Sequence, residues 1–319
     1  MMIRLFHLLT HRNSLWIRSR EVYFLKKIEH QGKVLRHFLQ REEKYLLTTH
    51  RKRHCGANLF RYPESLNEKI IHRMLYTRND LYTQLADKYL ARDYVTQKIG
   101  EEYLIPLLGV WSRTADIDYA TLPEKFVLKC NHDSGSCQKV FGKDAAAIAR
   151  CNKKLDFFLN RNFYYVSLEW QYKAIPPLIL AEEYIDIFAD TDPNITPELY
   201  RVHCFHQKAK FTEVDFTDAA GNNLTNIYDR CWRLQPFTMG QSNNPRDIPR
   251  PAGYARMLEL AESLSEEIDY CRVDFFMHKE KIWFSEITFT PERGKIIFSP
   301  RIWDYRLGEL WQLERVTNN

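Results

Sequence analysis

The sequence predicts an α+β fold. Helix-period segments alternate with short apolar strands, and two stretches read as strand–turn–strand units, which suits helices layered on antiparallel sheets. The chain has 319 residues, 45% hydrophobic and 27% charged, enough for two or three domains and a full core. No apolar run approaches the roughly 18 residues that cross a bilayer. Seven cysteines are scattered without a CxxC pair or zinc spacing, so reduced thiols in the cytoplasm are expected.

The net charge of +5 hides an asymmetry. Residues 1–54 hold 13 Lys/Arg against 4 Asp/Glu, a local +9, which leaves −4 for the remainder. The opening apolar piece is interrupted by Arg4, His11, Arg12, Arg18 and Arg20 and lacks a small-residue cleavage site, which argues against a signal peptide. This basic leader, with Trp16, Tyr23, Phe24 and Phe38, reads as a helical extension on the main body. Contact with an anionic membrane surface or a polyanion is the other reading. Nothing resembles a sequence-reading nucleic-acid module, and no nucleic-acid partner is expected.

Residues 14–47 predict one or two helices, and 50–56 a basic loop. Ser65 with Glu68 spells a capping box that opens a helix through Leu75. Residues 81–99 read as one helix carrying Asp87-Lys88 and ended by Gly100. Residues 105–111 and 125–131 read as strands, the second running into the Ser/Gly loop HDSGSCQ. A helix over 144–160 follows, with Ile148, Leu155, Phe158 and Leu159 on its buried side. Residues 178–185 form an apolar strand ending in two acids. A hairpin over 199–216 turns near Gln207-Lys208, with Arg201, His203 and Phe205 on one face. His203 and His206 fall on opposite faces and read as ordinary polar strand residues. After a Pro- and Asn-rich loop at 240–251, an amphipathic helix over 253–268 leads into a last hairpin.

That hairpin, CRVDFFMHKEKIWFSEITFTPERG at 271–294, carries the chemistry. Period two puts Arg272, Asp274 and Phe276 on one face, and Ile282, Phe284, Glu286 and Thr288 on one face of the second strand. A three-residue loop of Lys279, Glu280 and Lys281 sets His278 opposite Ile282, Asp274 opposite Glu286 and Arg272 opposite Thr288. A loop of two or four residues would separate the acids. Opposed carboxylates with Cβ atoms roughly 5 Å apart repel unless a cation or proton lies between them. Alone, the stretch reads either as an Arg–Asp–Glu salt-bridge patch or as half of a cation site. Lys129, inside an apolar strand, either points to solvent or meets a partner. Together, the lysines, acids and arginine are parts suited to a nucleotide with magnesium.

In order and spacing, several segments resemble the TupA-like ATP-grasp family, found with bacterial surface-polysaccharide genes. They are SLNEKI (65–70), DKYLARDYVTQKIGEEYLIPLLGVW (87–111), FVLKCNHDSGS (126–136), LILAEEYI (178–185), RVDFF (272–276) and FSEITFTPERG (284–294). The likeness implies the ATP-grasp fold, two α+β lobes sandwiching ATP. It also implies a division into a basic helical extension at 1–62, an N-terminal region at 63–122, a small lobe at 123–186 and a large lobe with the metal hairpin at 187–319. Lys88 and Lys129 would contact ATP phosphates, with Ser134, Gly135 and Ser136 closing over them. Glu182, Glu183 and Ile185 would line the adenine pocket. Asp274, Glu286 and Thr288 would ligate Mg²⁺, Thr288 standing where many members have asparagine. Arg272 would steady an acyl phosphate, and Arg201, Arg293 and Lys295 are expected to anchor an anionic substrate.

The reaction this resemblance implies is carboxylate–amine ligation through an acyl phosphate, joining an amino acid to a sugar acid or surface glycan. The expected setting is the cytoplasm, with polysaccharide-assembly enzymes as partners and peripheral inner-membrane contact through the leader as an option. A glycosyltransferase or a non-catalytic ATP-grasp assembly partner are the alternatives. The Asp116-Ile117-Asp118 spelling that a metal-dependent transferase would use lies in a loop away from any Gly-rich nucleotide unit.

Overall fold

The computed structural model describes residues 23–51, 62–192, 194–218, 220–246 and 248–313. The opening part of the leader with Trp16, Cys55 and most of the expected basic loop at 50–56 lie outside these. The leader's described part forms α1 (Tyr23–Leu39) and α2 (Glu42–Arg51). Helix α3 (Leu66–Tyr76) has its capping box: Ser65 Oγ accepts the Glu68 N–H at 3.3 Å, and Glu68 Oε2 accepts the Ser65 N–H at 3.2 Å.

The single helix expected over 81–99 is two, α4 (Asp80–Ala86) and α5 (Ala91–Ile99). Asp87 causes the break. Its Oδ1 accepts the N–H groups of Tyr89 and Leu90 at 2.8 and 3.3 Å, offering the backbone an alternative to the helix. The same oxygen accepts Asn131 Nδ2 at 2.9 Å, which ties the break to the end of a strand. Lys88 therefore projects from a turn.

The first sheet contains β1 (Leu107–Trp111), β2 (Lys125–Cys130), β3 (Gln138–Phe141) and β4 (Ile179–Glu183), antiparallel in the order β1-β4-β2-β3. The four-residue β3 is unanticipated, being too short to show a period. One face of the sheet (Phe126, Leu128, Cys130, Ile179, Ala181) packs on Cys151, Leu155, Phe157 and Phe158 of α6 (Ala145–Leu159). Strand alternation turns Val127, Lys129 and Glu182 the other way. A short helix, α7 (Tyr164–Ser167), follows α6.

The second sheet holds β5 (Leu199–Phe205), β6 (Lys208–Thr217), β7 (Asn223–Asp229), β9 (Tyr270–His278) and β10 (Lys281–Thr288), antiparallel in the order β10-β9-β5-β6-β7. Between β7 and β9 come β8 (Thr238–Met239) and α8 (Tyr254–Leu264). Val202, Val214, Val273 and Phe275 pack one face against Met257, Leu260, Ala261 and Leu264 of α8. The opposite face carries the charged residues. The β5–β6 turn is His206-Gln207, with φ of 46° and 64°, one residue earlier than expected.

The β9–β10 hairpin departs from expectation and still arrives at the expected pairing. Its turn has two residues, Lys279 and Glu280, both with positive φ as a tight hairpin turn requires. His278 therefore pairs with Lys281, and Ile282 with Met277. Between Phe284 and Glu286 the register shifts by one residue at Ser285, a β-bulge that sets Glu286 opposite Asp274 and Thr288 opposite Arg272. Ile282 and Phe284 consequently lie in the core, not on the face of Glu286 and Thr288.

The chain closes with β11 (Phe298–Ser299), paired to β8, and α9 (Ile302–Glu309), which packs on α3. Asp304 of α9 accepts the backbone N–H and Nδ2 of the buried Asn67 at 3.0 and 2.9 Å. Gly294 (φ +64°) fits where a Cβ would stand 2.6 Å from the Asn67 carbonyl oxygen. No helix among the described residues is long and apolar enough to cross a membrane.

Candidate active site

The charged face of the second sheet meets the outward face of the first across a cleft of about 400 Å³. One part of its lining is apolar, with Ile105, Val127, Tyr184, Ile187, Leu199 and Phe276. Lys88, Lys129, Arg201, Arg272, Asp274 and Glu286 also line it. So do Ser134, Gly135, Ser136, Glu182, Glu183 and Ile185. Thr288 does not; its hydroxyl sits behind the acids, 3.3 Å from Arg272 Nη2 and 3.4 Å from Glu286 Oε1. Lys295 lines a second cavity, also about 400 Å³, which shares Arg201 and Arg272 with the first. Arg293 lines neither; its charge acts on the buried carboxyl of Glu169. Asp116 pairs with the exposed Arg113, and neither it nor Asp118 lines the cleft.

The lysine inside the apolar strand has a partner. Lys129 Nζ stands 2.6 Å from Glu182 Oε2, and the other Glu182 oxygen is 3.4 Å from Arg92. Burying Glu182 on a central strand is tolerable because two cations meet it. Lys88 Nζ donates to the Asp133 carbonyl at 2.9 Å and lies 3.7 Å from Glu286 Oε2. The Asp133 side chain is buried and holds Arg161 through two bonds of 2.9 and 2.5 Å. Burial pushes this carboxyl up to about 6 against the pull of Arg161.

Arg161 also reaches the Ser134 carbonyl at 3.3 Å, so the base of the Ser/Gly loop is pinned while Ser134 and Gly135 stay exposed. Gly135 has a φ of +90°, which suits glycine. Ser136 turns back: its Oγ accepts the Cys130 N–H at 2.9 Å, fixing the loop to β2.

At the carboxylate pair, Arg272 grips Asp274 with Nε at 2.8 Å and Nη2 at 2.7 Å. Asp274 is 1% exposed, and burial pushes its carboxyl up to about 6, with Arg272 opposing and Glu286 adding to the rise. Burial also works to raise Glu286, but Lys88, Arg272, Arg201 and Lys129 outweigh it and hold this carboxyl below its usual range. The Glu286 side chain keeps 37% exposure because it faces the water of the open cleft. Arg201 Nη2 forms an ion pair with Asp215 Oδ2 at 2.6 Å, while its buried Nε–H, 3.9 Å from Asp274, has no hydrogen-bond partner.

His203 is not an ordinary strand polar residue. It is fully buried behind the arginines, with Nε2 2.5 Å from Glu213 Oε1 and Nδ1 3.0 Å from the Tyr270 hydroxyl. Burial holds the imidazole below its usual range against the pull of Glu213, with Arg272 and Arg201 adding to the fall. This favours a neutral ring whose Nε2–H donates to Glu213 while Nδ1 accepts from Tyr270. Glu213 and Asp215 were missed by sequence reasoning, although the alternation in Glu213-Val214-Asp215 opposite Arg201 was a readable signal. Asp133, Arg92 and Arg161 were also missed.

The donor chemistry fits magnesium. Asp274, Glu286 and Thr288 present only hard oxygens, and Mg²⁺ is usually held by one or two carboxylates together with phosphate oxygens and water. No cluster of three or more His, Cys, Asp or Glu placed to hold a metal occurs among the described residues, so protein groups alone would not complete the shell. The unpartnered Arg201 Nε–H beside them suits an anion's oxygen.

Similar solved structures include D-alanine–D-alanine ligases from Bacillus anthracis (15% identity, TM-score 0.41, covering 71% of this chain and 64% of that one) and Helicobacter pylori (13%, 0.41, 74% and 60%). Another is a RimK domain protein ATP-grasp from Sphaerobacter thermophilus DSM 20745 (12%, 0.37, 76% and 69%). The chain spans less than two thirds of the length of either D-alanine–D-alanine ligase. No curated protein sequence matches it. The family model described as TupA-like ATPgrasp matches residues 68–312, and the chain belongs to this family and has its ATP-grasp fold.

Proposed function

We propose that the chain is an ATP-dependent carboxylate–amine ligase. The observation that carries this reading is the convergence of Lys88, Lys129, Arg272, Asp274 and Glu286 in one cleft that also has an apolar lining. In this reading the apolar walls take the adenine ring near Glu183 and Ile185, and Lys88 and Lys129 meet the phosphates. Magnesium, held by Asp274 and Glu286 with Thr288 behind them, would neutralise charge on the transferred phosphoryl group.

A substrate carboxylate oxygen attacks the γ-phosphorus as the bond to ADP breaks, giving an acyl phosphate. An amine then attacks the acyl carbon, phosphate departs, and the nitrogen releases a proton. In this reading Arg272, held rigid by Asp274, and the free Nε–H of Arg201 would meet the negative charge that grows on the acyl group. The second cavity opens on the same two arginines and adds Glu213, Thr225, Gln241 and Lys295. Its mixed charges and amide suit an amino acid or a sugar acid, so the product would be an amide joining an amino acid to a sugar acid or glycan in surface-polysaccharide synthesis.

The test is an ADP-release screen of amino acids against uronic-acid glycans, read by product mass. ADP should appear when both partners are present, with a product equal to their sum less one water. Consumption of a nucleotide sugar with ATP untouched would instead identify a glycosyltransferase.

A further inference from the structure

Helix α1 turns one side to α6 and α7. Tyr23 lies 5.4 Å from Phe157 between ring centroids, His30 and His37 lie 6.4 and 5.2 Å from Tyr165, and Arg36 Nη2 donates to the Tyr165 carbonyl at 3.4 Å. On the other side Phe24, Ile28, Leu35 and Leu39 follow helical spacing and form one stripe. They are 72%, 49%, 59% and 77% exposed, and Phe38 beside them is 74% exposed. Two exposed apolar clusters aligned along one side of a surface helix call for a partner.

The charge of the helix narrows the choice. Helix α1 carries Lys26, Lys27, Lys33 and Arg36 against Glu29, and Lys27, flanking the stripe, is exposed. The 22 residues before it add four arginines against Glu21. A second copy of the chain would set +9 of leader charge against +9, and the preceding segment would set arginines beside lysines. An anionic lipid surface complements both properties: its acyl region takes the stripe and its headgroups take Lys27 and the net positive charge around it.

We propose that this face of α1 docks the protein on an anionic lipid bilayer, leaving the cleft open to water. The test is co-sedimentation of the full chain with vesicles of phosphatidylcholine alone or of an equal mixture of phosphatidylcholine and phosphatidylglycerol. The protein should sediment with the anionic vesicles only. Phe24→Ser with Leu35→Ser, and separately Lys27→Glu, should each weaken binding at least about tenfold. Vesicle-free nucleotide binding should stay unchanged, since these exposed side chains lie outside the cleft. Failure to bind either vesicle, equal binding to both, or a dimer in light scattering that Phe24→Ser with Leu35→Ser dissolves would each overturn the proposal.

Discussion

Asp274 of β9 faces Glu286 of β10 across a hairpin with a two-residue turn, because Ser285 bulges out of the second strand. Without the bulge that turn would set Ser285 opposite Asp274 and send Glu286 into the core beside Val273. The extra residue re-aims the whole end of β10, so Glu286 and Thr288 join the charged face while Ile287 stays in the core.

Removing Ser285 should therefore preserve the pairing, since Glu286 then follows Phe284 in a regular ladder and still meets Asp274. The deletion variant is expected to fold, to lose about 1–2 kcal/mol from the altered twist, and to bind magnesium–nucleotide within about tenfold of wild type. Urea unfolding and nucleotide titration measure both. Loss of binding in a folded variant would show that the bulge does more than set the register.

Glu182 and Lys129 form one ion pair but should not be equivalent. Glu182→Ala leaves Lys129 of β2 and Arg92 of α5 facing each other without their shared carboxylate and should cost about 3 kcal/mol. Lys129→Ala leaves Glu182 its contact with Arg92, so it should cost about 1 kcal/mol while weakening nucleotide binding at least about tenfold. Chemical denaturation separates the two, and equal losses would contradict the shared-carboxylate arrangement.

Arg161 should act on the loop from behind it. Arg161→Ala leaves the Asp133 carboxylate buried with neither of its guanidinium bonds, at a cost of about 3 kcal/mol, and frees the Ser134 carbonyl. Hydrogen exchange should show faster opening at residues 133–136. Unchanged protection there would mean the loop is held by Ser136 alone.

Asp274 gives a pH dependence with a definite sign. Burial raises its folded value to about 6, so its protonated form favours the fold. That contribution is full below the unfolded value near 3.9 and is lost as pH rises through about 6. Magnesium needs the carboxylate, so protons compete with it. Affinity for magnesium–nucleotide should be flat above pH 7 and fall up to about tenfold per unit below pH 6. Thermal-shift titrations from pH 5 to 8 measure this, and a flat profile would contradict it.

Much of the site was legible because charged residues in apolar strands stand out. Lys129 in β2, the two acids of β4, and Arg272, Asp274 and Glu286 could be picked by type and alternation alone. The fold class and the capping box at Ser65 were equally local. The bulge was not, since an extra residue at Ser285 leaves no mark in a pattern of mixed apolar and polar residues. The pairing of Asp274 with Glu286 was thus expected from the wrong turn length. Asp133 with Arg161 and Glu182 with Arg92 are pairs between separate elements, which tertiary packing decides. The break at Asp87 was hidden because a carboxylate bonding its own backbone competes with a helix only where Asn131 also holds it.

The most direct measurement is ATP turnover by Asp274→Asn beside wild type, with magnesium and an acid–amine pair found by the ADP-release screen. The substitution keeps the side-chain shape and removes the charge that would hold the metal. Turnover should fall at least about a hundredfold while circular dichroism shows the fold retained. Full ATP turnover in that folded variant would contradict the assignment of Asp274 and Glu286 as the metal-bearing pair.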